Sequence, residues 1–280
     1  MAEITFMHGV GKNSCERYTH GMKSQIAVVV IPTYNEKATI GEMIEALCNE
    51  VFPKIANWEC HLLIVDDTSP DKTYKIVQSK QKRYPHLHLF LNPTKAGIGN
   101  AYVKGFRYAM RELHADVVIE IDGDFQHPPQ DVVKLLKEID NGADYVMGSR
   151  KIKGGSIPKG WGFKRVFFSQ IGGFVARFIM FFPLKQFWQV TDPTTGLKAS
   201  KVKGFVDNMD MEHLHSLKFA YKIEFLFQMV VLGAKVREIP LKFQLRQAGA
   251  SKIDTDTALD VFKTAAILRI ENPFVRKPQR

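Results

Sequence analysis

The sequence predicts an α/β fold in which a mostly parallel sheet carries helices on both faces. Three observations lead there. Short apolar runs alternate with helical patterns from Ile26 onward, as successive β-α-β units do. The runs are almost continuously apolar, as strands covered on both faces are. Asp66, Asp67, Asp122 and Asp124 fall at the ends of two of these runs, and in open α/β sheets ligands collect at the carboxyl ends of strands.

Taken in order, IAVVVI (26–31) is the first expected strand, followed by PTYNE and a helix over 37–50 carrying Ile40, Ile44 and Leu47. HLLIVDD (61–67) is the second strand, and Ser69-Pro70-Asp71 opens a helix with capping residues and an early proline. HLHLFL (86–91) is the third strand, and Gly97 to Leu113 reads as loop then helix. Residues 116–121 form the fourth and run into Asp122-Gly123-Asp124. Pro128 and Pro129 start the next helix, and DYVMGSR (144–150) is the fifth strand. Residues 1–25 read as a poorly ordered extension, 26–255 as one domain, and 256–280 as a C-terminal helix and tail.

The chain has 280 residues, 45% hydrophobic and 24% charged, the profile of a soluble globular protein with one large domain or two small ones. Its three cysteines (Cys15, Cys48, Cys60) are odd in number and lack CxxC spacing. That argues against a disulfide framework or a cysteine zinc site and for a reducing compartment. The formal net charge of +10 suits nucleic acid, a phosphorylated small molecule or an acidic membrane, with a solvated basic surface as the alternative. Residues 1–25 contain Glu3, His8, Glu16 and His20 without a long apolar core, so no signal peptide is expected. WGFKRVFFSQIGGFVARFIMFFPL (161–184) is aromatic and apolar, but Lys164, Arg165, Gly172, Gly173, Arg177 and Pro183 interrupt it. It reads as an interfacial helix rather than a spanning one, with a helix packed on the domain's own core as the alternative. Membrane attachment would be peripheral, with no transmembrane helix.

Two carboxylates one residue apart after a buried strand repel unless a cation or solvent neutralises them. They suit a hard divalent cation whose remaining ligands are water and substrate phosphate; a helix cap before Pro128-Pro129 is the alternative. Competing motifs fail. GIGNAY (97–102) has Tyr102 where a dinucleotide fingerprint needs glycine, and neither a P-loop nor a G-x-S-x-G element occurs. The histidines are scattered, and each reads as a surface residue rather than a ligand; His213 and His215 would point to different sides of a helix.

In order along the chain, VVIPTYNE, IVDDTSPDKT, KAGIGNAYVKGF, DGDFQHPP, GSRKIKGGSIPKGWGFKR, TDPTTGLKA and RQAGASK resemble the motifs of family 2 glycosyltransferases. The likeness is greatest to the dolichyl-phosphate mannosyltransferase (polyprenyl-phosphate glycosyltransferase) branch and covers about residues 26–255. The resemblance implies a GT-A fold, a nucleotide-sugar donor, Mg²⁺ or Mn²⁺, and inversion at the anomeric carbon. It makes Pro32, Tyr34, Glu36, Asp66 and Asp67 the nucleoside pocket. Asp122, Asp124 and Gln126 become the metal and donor-diphosphate group. Arg150, Arg165 and Ser169 become the acceptor-phosphate clamp, and Arg246, Ser251 and Lys252 a loop closing on the donor phosphates. Asp122, Asp124, Arg150 and Arg165 are then the catalytic set. Two departures stand out: Asn92 replaces an arginine common in related sequences, and the chain stops at ENPFVRKPQR where some relatives continue into membrane helices.

The implied reaction moves a sugar, mannose from GDP-mannose or glucose from UDP-glucose, onto a polyprenyl or dolichyl phosphate at the cytoplasmic face of a membrane. A separate membrane-anchoring subunit would complete some versions of this arrangement. A phosphate monoester is largely dianionic at neutral pH, so it needs orientation more than proton abstraction. A hydroxyl acceptor would need a carboxylate base instead. A basic nucleic-acid-binding module is the reading from a different class, against which the acidic strand ends argue.

Overall fold

Ala27, Val28, Val29, Val30 and Ile31 are all fully buried, which a strand achieves only when both faces of its sheet are covered. The structure is a computed structural model; it describes residues 24–158, 160, 178, 187, 189–246 and 255–272. Among these, the strands are β1 (Gln25–Thr33), β2 (Trp58–Asp66), β3 (Leu87–Leu91), β4 (Val117–Glu120), β5 (Tyr145–Ser149), β6 (Lys198–Lys201) and β7 (Val236–Pro240). They form one sheet in the order β3-β2-β1-β4-β6-β5-β7. Strand β6 runs antiparallel to both of its neighbours, while the other pairings are parallel.

Side chains alternate across β1 and fill two cores. On one face Val28 and Val30 join Leu63, Val65, Val118 and Met147 beneath helices α3 (Ile98–Arg111), α5 (Tyr221–Val231) and α6 (Thr255–Glu271). On the other, Ala27, Val29 and Ile31 join Leu62, Ile64, Ile119 and Val146 beneath α1 (Ile40–Glu45), α2 (Thr73–Gln81) and α4 (Asp131–Asp140). Helix α3 comes close because Gly105 lacks a side chain: a β-carbon there would lie 2.6 Å from Val30 Cγ1. The glycines of GIGNAY also serve packing. Gly97 has φ of +101°, and a β-carbon on Gly99 would lie 2.9 Å from the Lys218 carbonyl.

Several expected bounds move, for local reasons. The helix expected over 37–50 starts at Ile40 and passes into a π-helical turn over Ala46–Val51. The helix expected to open at Ser69-Pro70-Asp71 starts at Thr73, because Lys72 takes a left-handed conformation. The Asp71 carboxylate then caps the Thr73 N–H at 2.9 Å. The expected interfacial helix over 161–184 lies outside the described residues except for Phe178, which is exposed; residues 1–23 and Cys15 also lie outside them. No described helix is long and apolar enough to cross a membrane.

Candidate active site

Strands β1, β2 and β4 are neighbours running in one direction, so the loops at their carboxyl ends share one edge of the sheet. A cleft of about 440 Å³ opens there, lined by Pro32, Tyr34 and Glu36 after β1, Asp67 after β2, and Asp122, Asp124 and Gln126 after β4. Each loop holds a non-glycine residue in the left-handed region close to its strand end: Asn35 (φ 58°), Thr68 (φ 50°) and Phe125 (φ 62°). Such conformations persist where surrounding bonds over-determine them, as functional sites often do. Here the Asn35 N–H donates to Ser69 Oγ at 3.0 Å, and Thr68 Oγ1 donates to the Asn92 carbonyl at 2.7 Å.

Asp66 and Asp67 part company. Asp66 is fully buried and does not line the cleft. Its carboxylate accepts Ser69 N–H at 2.8 Å, Ser69 Oγ at 2.7 Å and Thr33 Oγ1 at 2.8 Å. It therefore ties the β1 end to the β2 loop, and any effect on a donor would run through that loop. Asp67 faces the cleft. Burial raises its pKa, and a 2.7 Å hydrogen bond from Asn92 Nδ2 opposes the rise. Lys104 Nζ donates to Asn92 Oδ1 at 2.6 Å, so buried Asn92 connects a cation to Asp67 through an amide. Lys95, also on the cleft wall, places its ammonium 3.7 Å from the Tyr34 ring centroid.

Asp124 is almost fully buried, and its Oδ1 accepts the Gln126 N–H at 3.0 Å. Burial first, then the Asp122 charge, push its carboxyl up to about 6. Asp122 receives Tyr102 Oη at 3.3 Å. The buried His127 Nδ1 lies 3.4 Å from Asp122 Oδ2 but is not aligned for a hydrogen bond; burial lowers His127 to about 4, which keeps its imidazole neutral. Two hard carboxylate donors one residue apart, with Asp124 raised by burial and by its neighbour's charge, are a set that Mg²⁺ or Mn²⁺ would stabilise, so these residues fit such a cation. Arg246 Nη2 binds Glu36 Oε1 at 2.5 Å, and its Nε lies 3.6 Å from Asp124 Oδ2. The guanidinium thus spans the β1 and β4 loops. Gln126 Nε2 donates to the Gln244 carbonyl at 3.4 Å.

Arg150, at the β5 end, does not line the cleft. Its Nε and Nη2 bind the two oxygens of Asp192 at 2.6 and 2.7 Å. Burial acts to raise Asp192, but the charge and hydrogen bonds of Arg150 outweigh it and hold the carboxyl low. Beside this pair, Ser149 Oγ lies 2.6 Å from Thr191 Oγ1, and Glu238 Oε1 accepts the Thr191 and Asp192 N–H groups at 2.8 and 3.0 Å. Arg165, Ser169, Ser251 and Lys252 lie outside the described residues.

Behind the cleft sits a polar cluster that sequence reasoning missed. Glu120 ends β4 and is buried, accepting from Tyr221 Oη and, at 3.4 Å, from Lys222 Nζ. Lys198 Nζ donates to the Lys222 carbonyl at 3.3 Å, and burial lowers its ammonium to about 8. Lys222 also stands 5.0 Å from the ring of Tyr102, whose hydroxyl reaches Asp122. Two buried cations against one carboxylate leave positive charge behind Asp122 and Asp124. The available signal was Lys222 inside the apolar run AYKIEFLF.

The sequence profile described as glycosyl transferase family 2 matches residues 28–201, and the chain belongs to that family of glycosyltransferases. Over 244 residues it is 29% identical to polyprenol monophosphomannose synthase of Mycolicibacterium smegmatis, covering 86% of each chain. Over 237 residues it is 31% identical to dolichol-phosphate mannosyltransferase of Pyrococcus furiosus, covering 84% of this chain and 61% of that one. Among solved structures it resembles glucosyl-3-phosphoglycerate synthase from Mycobacterium tuberculosis, crystallised with Mn²⁺, uridine diphosphate and phosphoglyceric acid. The TM-score is 0.58 at 18% identity, covering 87% of this chain and 78% of that chain. The fold is GT-A.

Proposed function

We propose that the protein transfers mannose from GDP-mannose to a polyprenyl or dolichyl phosphate, with inversion at the anomeric carbon. The observation that carries this reading is the Asp122/Asp124 pair facing a strand-end cleft. It occurs in a chain similar to a polyprenol monophosphomannose synthase and a dolichol-phosphate mannosyltransferase. Tyr34, Glu36 and Asp67 line the nucleoside end of the cleft. Arg246 exchanges Glu36 and Asp124 for donor phosphates as the donor enters. Asp122 and Asp124, with Gln126 beside them, would hold Mg²⁺ or Mn²⁺, which when bound neutralises charge on the diphosphate leaving group. An oxygen of the lipid phosphate forms the new bond to the anomeric carbon while the bond to the diphosphate breaks, and the nucleoside diphosphate departs with the electron pair. The acceptor brings its own negative charge, so no general base is required. Asp192 is poorly suited to be one, being fully buried and engaged by Arg150. Arg150 contributes by orienting the Asp192 segment, and Arg165 with Ser169 remain the proposed direct contacts to the acceptor phosphate. Residues 161–184 attach the enzyme peripherally to the cytoplasmic face of the membrane, alone or with an anchoring subunit.

Purified protein, a short polyprenyl phosphate and Mn²⁺, supplied in parallel with GDP-mannose and UDP-glucose, test the reading. A β-linked mannosyl lipid forming with GDP-mannose is the expected product, and Asp124→Asn lowers turnover by roughly 100-fold or more. A preference for UDP-glucose would establish the glucosyltransferase instead. Undiminished transfer in excess chelator would remove the cation from the mechanism.

A further inference from the structure

At the other end of the sheet, residues that look scattered in the sequence converge. Glu59 and His61 alternate along β2 and therefore share a face. The register that pairs Leu62 with Leu87 and Leu63 with His88 sets His86 beside His61 and places His88 on the same face. His61 Nε2 lies 3.0 Å from Glu59 Oε1, and His86 Nδ1 lies 3.8 Å from the same oxygen. The three ligating atoms all fall within 4.8 Å of one another. A tetrahedral zinc ion with bonds of about 2.0–2.1 Å holds its ligand atoms roughly 3.3–3.4 Å apart, a value between the two measured distances. His61 Nδ1 is 2.9 Å from His88 Nε2. A proton on that Nδ1 leaves the Nε2 lone pair directed at the site, as outer hydrogen bonds orient metal-binding histidines.

We propose that Glu59 Oε1, His61 Nε2 and His86 Nδ1 form a transition-metal site of the zinc type, completed by water, with His88 as its positioning residue. The donors match: a ligating carboxylate must be ionised and ligating imidazoles neutral. The site is separate from the cleft, since it lies toward the amino ends of parallel strands whose carboxyl ends build the cleft. Strand β3 is the edge of the sheet, where unpaired backbone groups invite slippage or aggregation. A metal joining β2 to the residue before β3 would fasten that edge.

The test uses the full chain stripped with chelator, saturated with Mg²⁺, and then titrated with Zn²⁺ in equilibrium dialysis and thermal melting. One equivalent binds and raises Tm, and Co²⁺ in its place gives a visible spectrum without thiolate charge transfer. His86→Ala and Glu59→Gln each weaken binding at least about tenfold. His88→Ala weakens it by about 10- to 100-fold. Since His86 is exposed, its replacement leaves the fold and the Mg²⁺-supported transfer rate unchanged. His8→Ala with His20→Ala retains the site, which separates it from the N-terminal histidines. Absence of Zn²⁺ binding overturns the proposal, as does binding that survives His86→Ala and Glu59→Gln together or that disappears in Asp124→Asn. In those cases the cluster is a hydrogen-bonded group only.

Discussion

Gly196 has no room for a β-carbon. One placed there would lie 2.8 Å from His127 Cε1 and 2.9 Å from Asp122 Oδ2, and buried His127 has little space to yield. Gly196→Ala should therefore displace the Asp122 carboxylate while leaving the sheet intact. The expected outcome is a loss of about tenfold or more in kcat/KM with a Tm shift of a few degrees, measured by steady-state kinetics beside calorimetry. An unchanged rate would show that Asp122 tolerates the displacement. A second prediction concerns Lys222, which partners buried Glu120. Removing one member of a buried pair typically costs about 3–5 kcal/mol, because the other charge stays buried. Lys222→Met should cost on that order in urea unfolding, and adding Glu120→Gln should restore most of the loss. If the double variant were no better than the single one, the pair would not account for the cost.

At the scale of elements, α5 and α6 are joined by His215, which contacts Glu224 at 3.0 Å and Glu271 at 3.1 Å. Burial acts to lower the His215 pKa, but these carboxylates outweigh it and the net shift is upward. A raised histidine contributes its stability fully below the unfolded pKa of about 6.5 and loses it as pH rises through the folded value. The stability gap between wild type and Glu271→Gln should thus be widest below about pH 6.5 and narrow at higher pH; a gap independent of pH would exclude the linkage. Strands β1, β2, β4 and β5 were legible to within a few residues because their buried stretches read as apolar runs, and β3, a partly buried edge strand, from the shorter run HLHLFL. KASK in β6 and VREIP in β7 carry no such run: Lys198 is buried by partners on α5, and β7 is partly exposed. The cleft residues Tyr34, Glu36, Asp67, Asp122 and Asp124 were legible because each follows a recognisable strand within a few positions. The inward turn of Arg150 was not, since its partner Asp192 lies across a long excursion of the chain. Asp66 turned inward for a nearer reason, the Ser69 hydroxyl and N–H, which its place at a strand end does not distinguish from an open site.

At the scale of the whole molecule, the charge of +10 and the aromatic stretch over 161–184 should act together at a membrane. Vesicles containing anionic lipid should retain the protein in flotation, less so as salt rises, because screening shortens electrostatic reach. Phe167→Ser with Phe168→Ser, at positions outside the described residues, should weaken the attachment further. Wild-type protein left wholly in solution beside such vesicles would count against it. The sheet carries a further consequence at the place where β5 gives way to β6. The chain leaves at Ser149 and returns at Lys198 on the adjacent strand, and Ser149–Thr191 with Arg150–Asp192 clasps the base of the excursion. The donor-facing loops belong to strands on the other side of β6. Under the proposed function, with Arg165 and Ser169 at the acceptor phosphate, the excursion is in engineering terms a cassette: a different segment spliced between Arg150 and Asp192 is expected to change what is glycosylated while the strand-end cleft stays as it is.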